Sequence, residues 1–404
     1  MVPWLNSSAD SSRPVDSAHA RSHPAWRNRR RAALSALGSL GSALLAVASL
    51  STFASAPPAQ AQIPPAQPST QPEARGERSS KTAGEATFTP TGPWAHTYSI
   101  VARDAKTSTL GVAVQSHWFQ VGPTVAWAQA GVGAVATQSL VKIDYGPLGL
   151  ERLATGESPR QALDALLEED PERAVRQVAM IDAQGRTAAW TGDGCIAEAG
   201  HLEGDGFSVQ ANLMDKDTVW AAMAQAFEDS EGELAQRLMA ALRAAEAEGG
   251  DIRGRQSAAL VVVRAESTGK AWEDRLVDLR VDDHPQPLDE LERLLTLSRA
   301  YTWMNRGDEA MAEERIEDAV QAYSTAAELA PQIAELPFWK AVALYSAGHR
   351  GTALPIFQDV FQREDRWRRV VPRLVTAGLM PAAVLEEKVL GGQPSAGEKN
   401  SSEE

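Results

Sequence analysis

The 404-residue chain has a single cysteine, Cys195. That excludes an intramolecular disulfide framework and any cysteine-rich zinc module. Basic residues are also scarce, with 39 Lys+Arg against 53 Asp+Glu and a net charge of -14. A nucleic-acid binder acting through a broad basic surface is therefore excluded. Hydrophobic residues make up 43% of the chain, enough to build packed cores, and the length suggests two or three domains. The charge is unevenly spread. Residues 1–61 carry a net +4, and residues 62–404 carry -18.

The basic part reads as an export signal. Arg27, Arg29, Arg30 and Arg31 precede an uncharged stretch, Ala32 to Ala54, rich in Ala, Leu, Ser and Gly. Ser and Gly make it a poor permanent transmembrane helix. Ala59-Gln60-Ala61 then supplies the small-x-small pattern of signal-peptidase cleavage. Residues 1–61 are thus expected to be a cleaved signal peptide and the protein to be exported, periplasmic or extracellular. An uncleaved signal anchor is the alternative. The arginine pair over a weakly apolar core hints at the twin-arginine route. Residues 57–93 contain eight prolines and few large apolar side chains. Burial there cannot offset the ordering entropy, so residues 62–95 are expected to form a flexible tether.

From Thr97 the pattern changes. Residues 97–103 and 110–116 read as a hairpin around a turn at 104–109, with further apolar segments at 123–130 and 131–138. Two helices follow, the second opened by Ser158 as N-cap and Pro159 at the first helical position. A hairpin over 175–191 and a strand over 206–213 come next. Two amphipathic helices, at 217–228 and 232–248, precede strands at 257–264 and 276–281. This order predicts antiparallel sheets with helices packed against them, an α+β domain over 96–285.

Several segments carry a family resemblance: Thr97–Asp104, Gly111–Ser116, Ala130–Gln138, Tyr145-Gly146-Pro147, Thr191-Gly192 with Cys195, Ala199-Gly200-His201, Gln210-x-Asn212, residues 254–259 and residues 278–285. Together they resemble a bacterial family catalogued as "domain of unknown function" family 1028. The resemblance implies an N-terminal-nucleophile hydrolase-like fold, a four-layer αββα sandwich. In that superfamily a Thr, Ser or Cys heads the mature chain and attacks an amide carbonyl. Its own α-amine takes the proton, since such an amine titrates at about 7.7–8.0. The implied nucleophile is Thr97, with Ser99 as the alternative. Two departures stand out. Cleavage after Ala61 leaves Gln62–His96 in front of Thr97, so a second cut between His96 and Thr97 is required. In addition, Gln115 stands where the proteasome-type pattern has a supporting Asp, and residues 123–138 hold no Lys.

Other polar residues have two readings each. Asn212 is the expected oxyanion donor, or else closes a turn at its strand end. His201 orients the nucleophile or binds substrate, or else is an ordinary structural hydrogen-bonder. Arg253 and Arg255, flanking Gly254, with the neighbouring Gln256, form the expected substrate-binding set. For the two arginines, the plainer alternative is surface ion pairing. Asp282-Asp283-His284 has metal-ligand residue types, but consecutive strand residues face opposite sides, so it is read as a strand exit and no metal site is assigned. No cofactor is expected. Cys195 is read as a small buried hydrophobe.

Residues 286–391 form the second expected domain. Leu291, Leu294, Leu295 and Leu297 make an apolar helical stripe. Trp303, Gly307, Ala319, Tyr323, Ala326 and Pro331 then match a tetratricopeptide-like repeat, with Ala353 and Phe357 in a second, degenerate unit. The same region resembles a peptidoglycan-binding module of relatives. It is expected to bind a peptide, a protein partner or peptidoglycan, or to brace a homo-oligomer. Residues 392–404 read as a disordered tail. Two functions follow: an exported hydrolase of peptide or wall-derived amides, or a non-catalytic envelope scaffold using its helical repeats.

Overall fold

The structure is a computed structural model and describes residues 94–390. The expected signal peptide, all but the end of the tether, and the tail lie outside the described residues. No helix among the described residues is long and apolar enough to cross a membrane. The chain divides into two compact units at Thr302/Trp303.

The first unit is α+β, with two antiparallel sheets. One sheet runs β1 (Trp94–Ala95), β5 (Gly133–Leu140), β6 (Arg176–Asp182) and β7 (Thr187–Thr191), with β4 (Ala126–Gln129) also paired to β5. The other runs β11 (Arg275–Val281), β10 (Ser257–Val263), β3 (Leu110–Ser116), β2 (Thr97–Arg103), β9 (Phe207–Ala211) and β8 (Gly200–Gly204). The expected apolar segment at 123–130 folds as a short helix, α1 (Val121–Val125), running into β4. β1 and β8 are unforeseen: two residues carry no period, and β8 is half exposed with the mixed sequence Gly200–Gly204.

Strand alternation sorts the apolar side chains into separate cores. Tyr98, Ile100 and Ala102 of β2 pack with Met223 and Phe227 of α4 (Val219–Asp229) and with Leu238 and Leu242 of α5 (Leu234–Ala247). Val101 of β2, with Val112 and Val114 of β3, packs with Ala134 and Ala136 of β5 and with Ala179 and Ile181 of β6. Val135, Val178 and Met180 turn the other way. They pack with Leu150 and Leu153 of α2 (Tyr145–Ala154) and with Leu163 and Leu166 of α3 (Pro159–Glu168). α3 begins as its sequence predicts: Ser158 and Gln161 form a reciprocal capping box with Pro159 at the first helical position.

After a four-residue helix, α6 (Ala271–Asp274), comes α7 (Pro287–Ala312). The domain boundary expected at 285 moves to Thr302, because Leu288, Leu291 and Leu295 of α7 are buried in the core of α4 and α5. The stripe read as the start of a helical module covers the sheet unit. α7 runs past Trp303, the first repeat position, to Ala312.

The second unit holds the end of α7, then α8 (Ile316–Leu329), α9 (Glu335–Ser346), α10 (Arg350–Arg363) and α11 (Val370–Thr376). α9 packs on both α8 and α10. The small residues expected at helix contacts, Ala319, Ala326 and Ala353, are fully buried, and so is Phe357. Gly307 lies under the Tyr323 ring, where a Cβ would approach a ring carbon to 2.6 Å.

Candidate functional site

The head of β2 gathers the polar residues of the sheet unit. β1 belongs to one sheet and β2 to the other, so the chain crosses between the sheets at His96. The His96–Thr97 peptide bond lies at that crossing, with His96 1% exposed and Thr97 fully buried.

The His96 carbonyl oxygen accepts two side-chain hydrogen bonds. Ser116 Oγ donates at 2.6 Å and Arg253 Nη2 at 2.7 Å. Ser116 arrives there by register, since it sits opposite Thr97 in the β2–β3 pair. Arg253 is held by Asp251, whose carboxylate takes its Nε at 3.0 Å and its Nη2 at 2.7 Å. The Asp251 side chain is fully buried, while that of Arg253 is 27% exposed. Thr97 Oγ1 donates to the Ala95 carbonyl at 2.7 Å.

A buried amide network continues from Thr97. The Thr97 carbonyl accepts from Gln138 Nε2 at 3.2 Å, and from the Asn212 backbone N–H at 3.1 Å. Asn212 Nδ2 lies 3.4 Å from the same oxygen and donates to Gln177 Oε1 at 2.9 Å. Gln177 Nε2 in turn donates to the carbonyls of Ala211 (2.8 Å) and Gly200 (3.1 Å). Carbonyls only accept, so they fix which end of each amide faces which neighbour. The polarity runs outward to Asn212 Oδ1, which lies 2.8 Å from His96 Nδ1. His96 Nδ1 therefore carries its proton. Burial pushes the His96 pKa below its ordinary 6.5; the Asn212 bond opposes this, and Arg253 reinforces it. Two non-glycine residues beside the site hold left-handed backbone, Ser139 at φ 73° and Leu213 at φ 59°. Such conformations cost of order 1–3 kcal/mol each and persist where the surroundings over-determine them.

The structure brings Thr97, Asn212 and Arg253 together, and it leaves the other expected site residues elsewhere. His201, on β8, is exposed and shares a 2.8 Å hydrogen bond with Thr191. It reaches Asn212 only through Thr191 and Gln177. Arg255 pairs with Glu246 and donates to Gln286, and Gln256 donates to Asp283 at 3.2 Å. Neither side chain bonds the His96 carbonyl, and Glu246 itself is mostly buried, accepting from the Tyr98 hydroxyl. Gln115 lies on the sheet face opposite Thr97, because side chains alternate and its neighbour Ser116 faces Thr97. Both polar atoms of the Gln115 amide are buried without a hydrogen-bond partner. The Asp expected from the proteasome-type pattern thus has no counterpart there. Asp282 accepts from Gln120 and His284 from the Gln286 backbone, and no metal-ligand cluster of three residues occurs among the described residues. Burial raises the Cys195 thiol above its ordinary 9.0, which keeps it protonated.

The sequence reading missed His96, Ser116, Gln138, Gln177 and Asp251. For Ser116, Gln138 and Gln177 the signal was present as polar side chains in otherwise apolar strands, such as Ser116 ending Leu110–Ser116 and Gln138 within Gly133–Leu140; His96 and Asp251 lie outside the strands. The cation that reaches the His96 carbonyl, Arg253, lies far from residues 123–138 in the chain.

Residues 97–291 match the model of a family of unknown function, DUF1028. A crystal structure of a DUF1028 protein from Silicibacter pomeroyi is 32% identical, with a TM-score of 0.46, over 50% of this chain and 85% of that one. No curated protein matches the chain. By its residues 97–291 and by this identity to a solved relative, the chain belongs to DUF1028, a family of unknown function.

Proposed function

We propose that the sheet unit is an exported, self-processing amide hydrolase of the N-terminal-nucleophile type. Its two sheets and two helix pairs would stack as the four-layer αββα sandwich of that superfamily. The three separate cores, one shared by both sheets and one under each helix pair, support this reading. The observation that carries it is the pair of donors, Ser116 Oγ and Arg253 Nη2, on the carbonyl of the one bond that must be cut. Donors aimed at a carbonyl that becomes an oxyanion are the largest single contribution in acyl transfer.

In the first step Thr97 Oγ1 attacks the His96 carbonyl carbon, and negative charge develops on an oxygen already held by Ser116 and Arg253. The C–N bond breaks, the hydroxyl proton ends on the Thr97 nitrogen, and His96 is left esterified to Oγ1. Water hydrolyses the ester, giving a His96 carboxylate and a free Thr97 amine. That amine, near half-protonated at about pH 8, then serves as the base toward external amides. Asn212, whose main-chain N–H and Nδ2 both face the Thr97 carbonyl, positions the nucleophile's own peptide. The paired helices and buried small residues of the second unit support a tetratricopeptide-like module that holds a peptide, protein or peptidoglycan partner at the envelope.

The test is the N-terminus of protein purified from its native host, read by intact mass and sequencing. A start at Thr97 is expected, and a start at Gln62 overturns the enzyme. Thr97→Ala is expected to abolish processing and amide hydrolysis while the domain stays folded. Its loss of one hydrogen bond to Ala95 costs only about 1 kcal/mol.

The second reading is a non-catalytic envelope scaffold. It is favoured by the complete burial of Thr97 and the engagement of its hydroxyl by Ala95. An uncut chain offers no access to that hydroxyl, so the Gln62 start would establish this reading instead.

A further inference from the structure

We infer that the place filled by Ala95 and His96 is the acyl-side substrate subsite of this centre. It takes extended peptides carrying a small residue followed by a neutral hydrogen-bond donor at the scissile carbonyl. The inference rests on Thr97 being the nucleophile, as proposed above.

Three features of the site define the subsite. The first is an edge. β5 is paired along one side by β6, and along the other by β4 at Gly133–Ala136 and then by β1 at Ser139 and Leu140. β1 covers that last stretch with Trp94 and Ala95, the first of the described residues. An edge filled by a segment that the proposed cut releases is a place for strand addition, in which main-chain bonds hold a peptide of any sequence and side-chain pockets choose among sequences. The second feature is size. Ala95 is fully buried in the core shared by the sheets. A larger side chain there has to displace packed neighbours, so Ala or Gly is selected.

The third feature is polarity. Asn212 presents an acceptor oxygen to His96, and that orientation is fixed through Gln177 by the Ala211 and Gly200 carbonyls. Asp or Glu would set one acceptor against another. An aliphatic side chain would leave the Asn212 oxygen buried and unpaired. Lys or Arg would bring a second cation beside Arg253, whose guanidinium already lies on the His96 carbonyl. His, Gln and Asn satisfy all three conditions. The order of side chains along the leader is thereby the order the site selects in a substrate: small, donor, scissile bond. Each external turnover repeats the processing chemistry. Thr97 Oγ1 forms an ester with the peptide carbonyl, the amine leaves with the proton, and water releases the acid.

The experiment uses the full-length protein from its native host and acetylated Trp-Ala-Xaa peptides bearing a fluorogenic aminocoumarin amide. With His or Gln as Xaa, kcat/KM is expected to agree within a few-fold. With Leu it is expected to fall about 10–100-fold, from the unpaired Asn212 oxygen. With Lys it is expected to fall as well, and Trp-Leu-His should be cleaved far more slowly than Trp-Ala-His. A second arm reads self-processing in whole chains by intact mass, where His96→Gln should mature and His96→Leu should lag. The peptide arm remains decisive if a His96 variant fails to fold. A Thr97 start with equal turnover of the His, Leu and Lys peptides overturns the subsite and leaves the nucleophile standing. A chain that never starts at Thr97 overturns both.

Discussion

Arg253 illustrates how much one side chain's role depends on what stands around it. Its guanidinium bridges the buried Asp251 carboxylate and the His96 carbonyl. A charged donor on a developing oxyanion is worth about 10²–10³ in rate. Arg253→Gln is therefore expected to slow appearance of the Thr97 N-terminus by about that factor, with Arg253→Lys intermediate, as followed by timed intact-mass measurements. The buried ion pair of Arg176 and Asp170 makes a different kind of claim. Their side chains are 4% and 2% exposed, 3.0 Å apart, and Asp170 also accepts from Tyr145. Burial alone would raise the Asp170 carboxyl, but the Arg176 hydrogen bond and charge, with the Glu172 N–H, hold it below its ordinary 3.8. Removing one partner of such a pair leaves an uncompensated charge. Arg176→Met should lower unfolding stability by about 3–5 kcal/mol, read from the urea midpoint at constant slope.

At the scale of elements, close approach decides where glycine is needed. In an exposed helix interior, Gly→Ala ordinarily gains about 0.5–1 kcal/mol. Gly307→Ala is expected to reverse that sign, because the new Cβ would meet the Tyr323 ring at 2.6 Å. A lowered melting temperature checks this, and a raised one would mean that the ring moves freely. The same scale separates what the sequence made legible from what it hid. The start of α3 could be read to the residue, since Ser158 and Pro159 are local signals that act within one turn. β1 could not, because two residues have no period and become a strand only when Ser139 and Leu140 are there to pair with them. The site was half legible for the same reason. Thr97 and Asn212 stood out by type and position, while Ser116 became a ligand of the His96 carbonyl only through strand register.

For the whole molecule, the buried titrating groups set the pH response. The uncut Thr97→Ala chain retains His96 with a folded pKa below 6.5. The unfolded chain therefore binds more protons just below pH 6.5, and stability falls as pH drops from there toward the folded value, then levels off. Asp104 and Asp170 have depressed folded pKa values, so their contribution is complete above about 4 and is lost at lower pH. Denaturation midpoints of Thr97→Ala are expected to show a first decline below pH 6.5, to which His201 also contributes because burial lowers it too, and a further His96→Gln change should shrink that decline. An acid limb at lower pH should survive that change. A first decline of unchanged size in the double variant would assign it to His201 or another group instead.

The amino-acid sequence by itself determined the local and compositional features. These are the sign and distribution of charge, the absence of a disulfide framework, the helix starts, the strand periods and the helical second unit. All depend on residues a few positions apart, where propensity and patterning act directly. Tertiary structure decided the rest of the site. It placed Arg253 and Ser116 on a carbonyl more than a hundred and about twenty residues away in the chain, and it sent His201, Arg255 and Gln256 to other partners. The physical reason is that a buried polar group must find its partner in space. Which residues meet there is set by sheet order and register, which no single segment encodes.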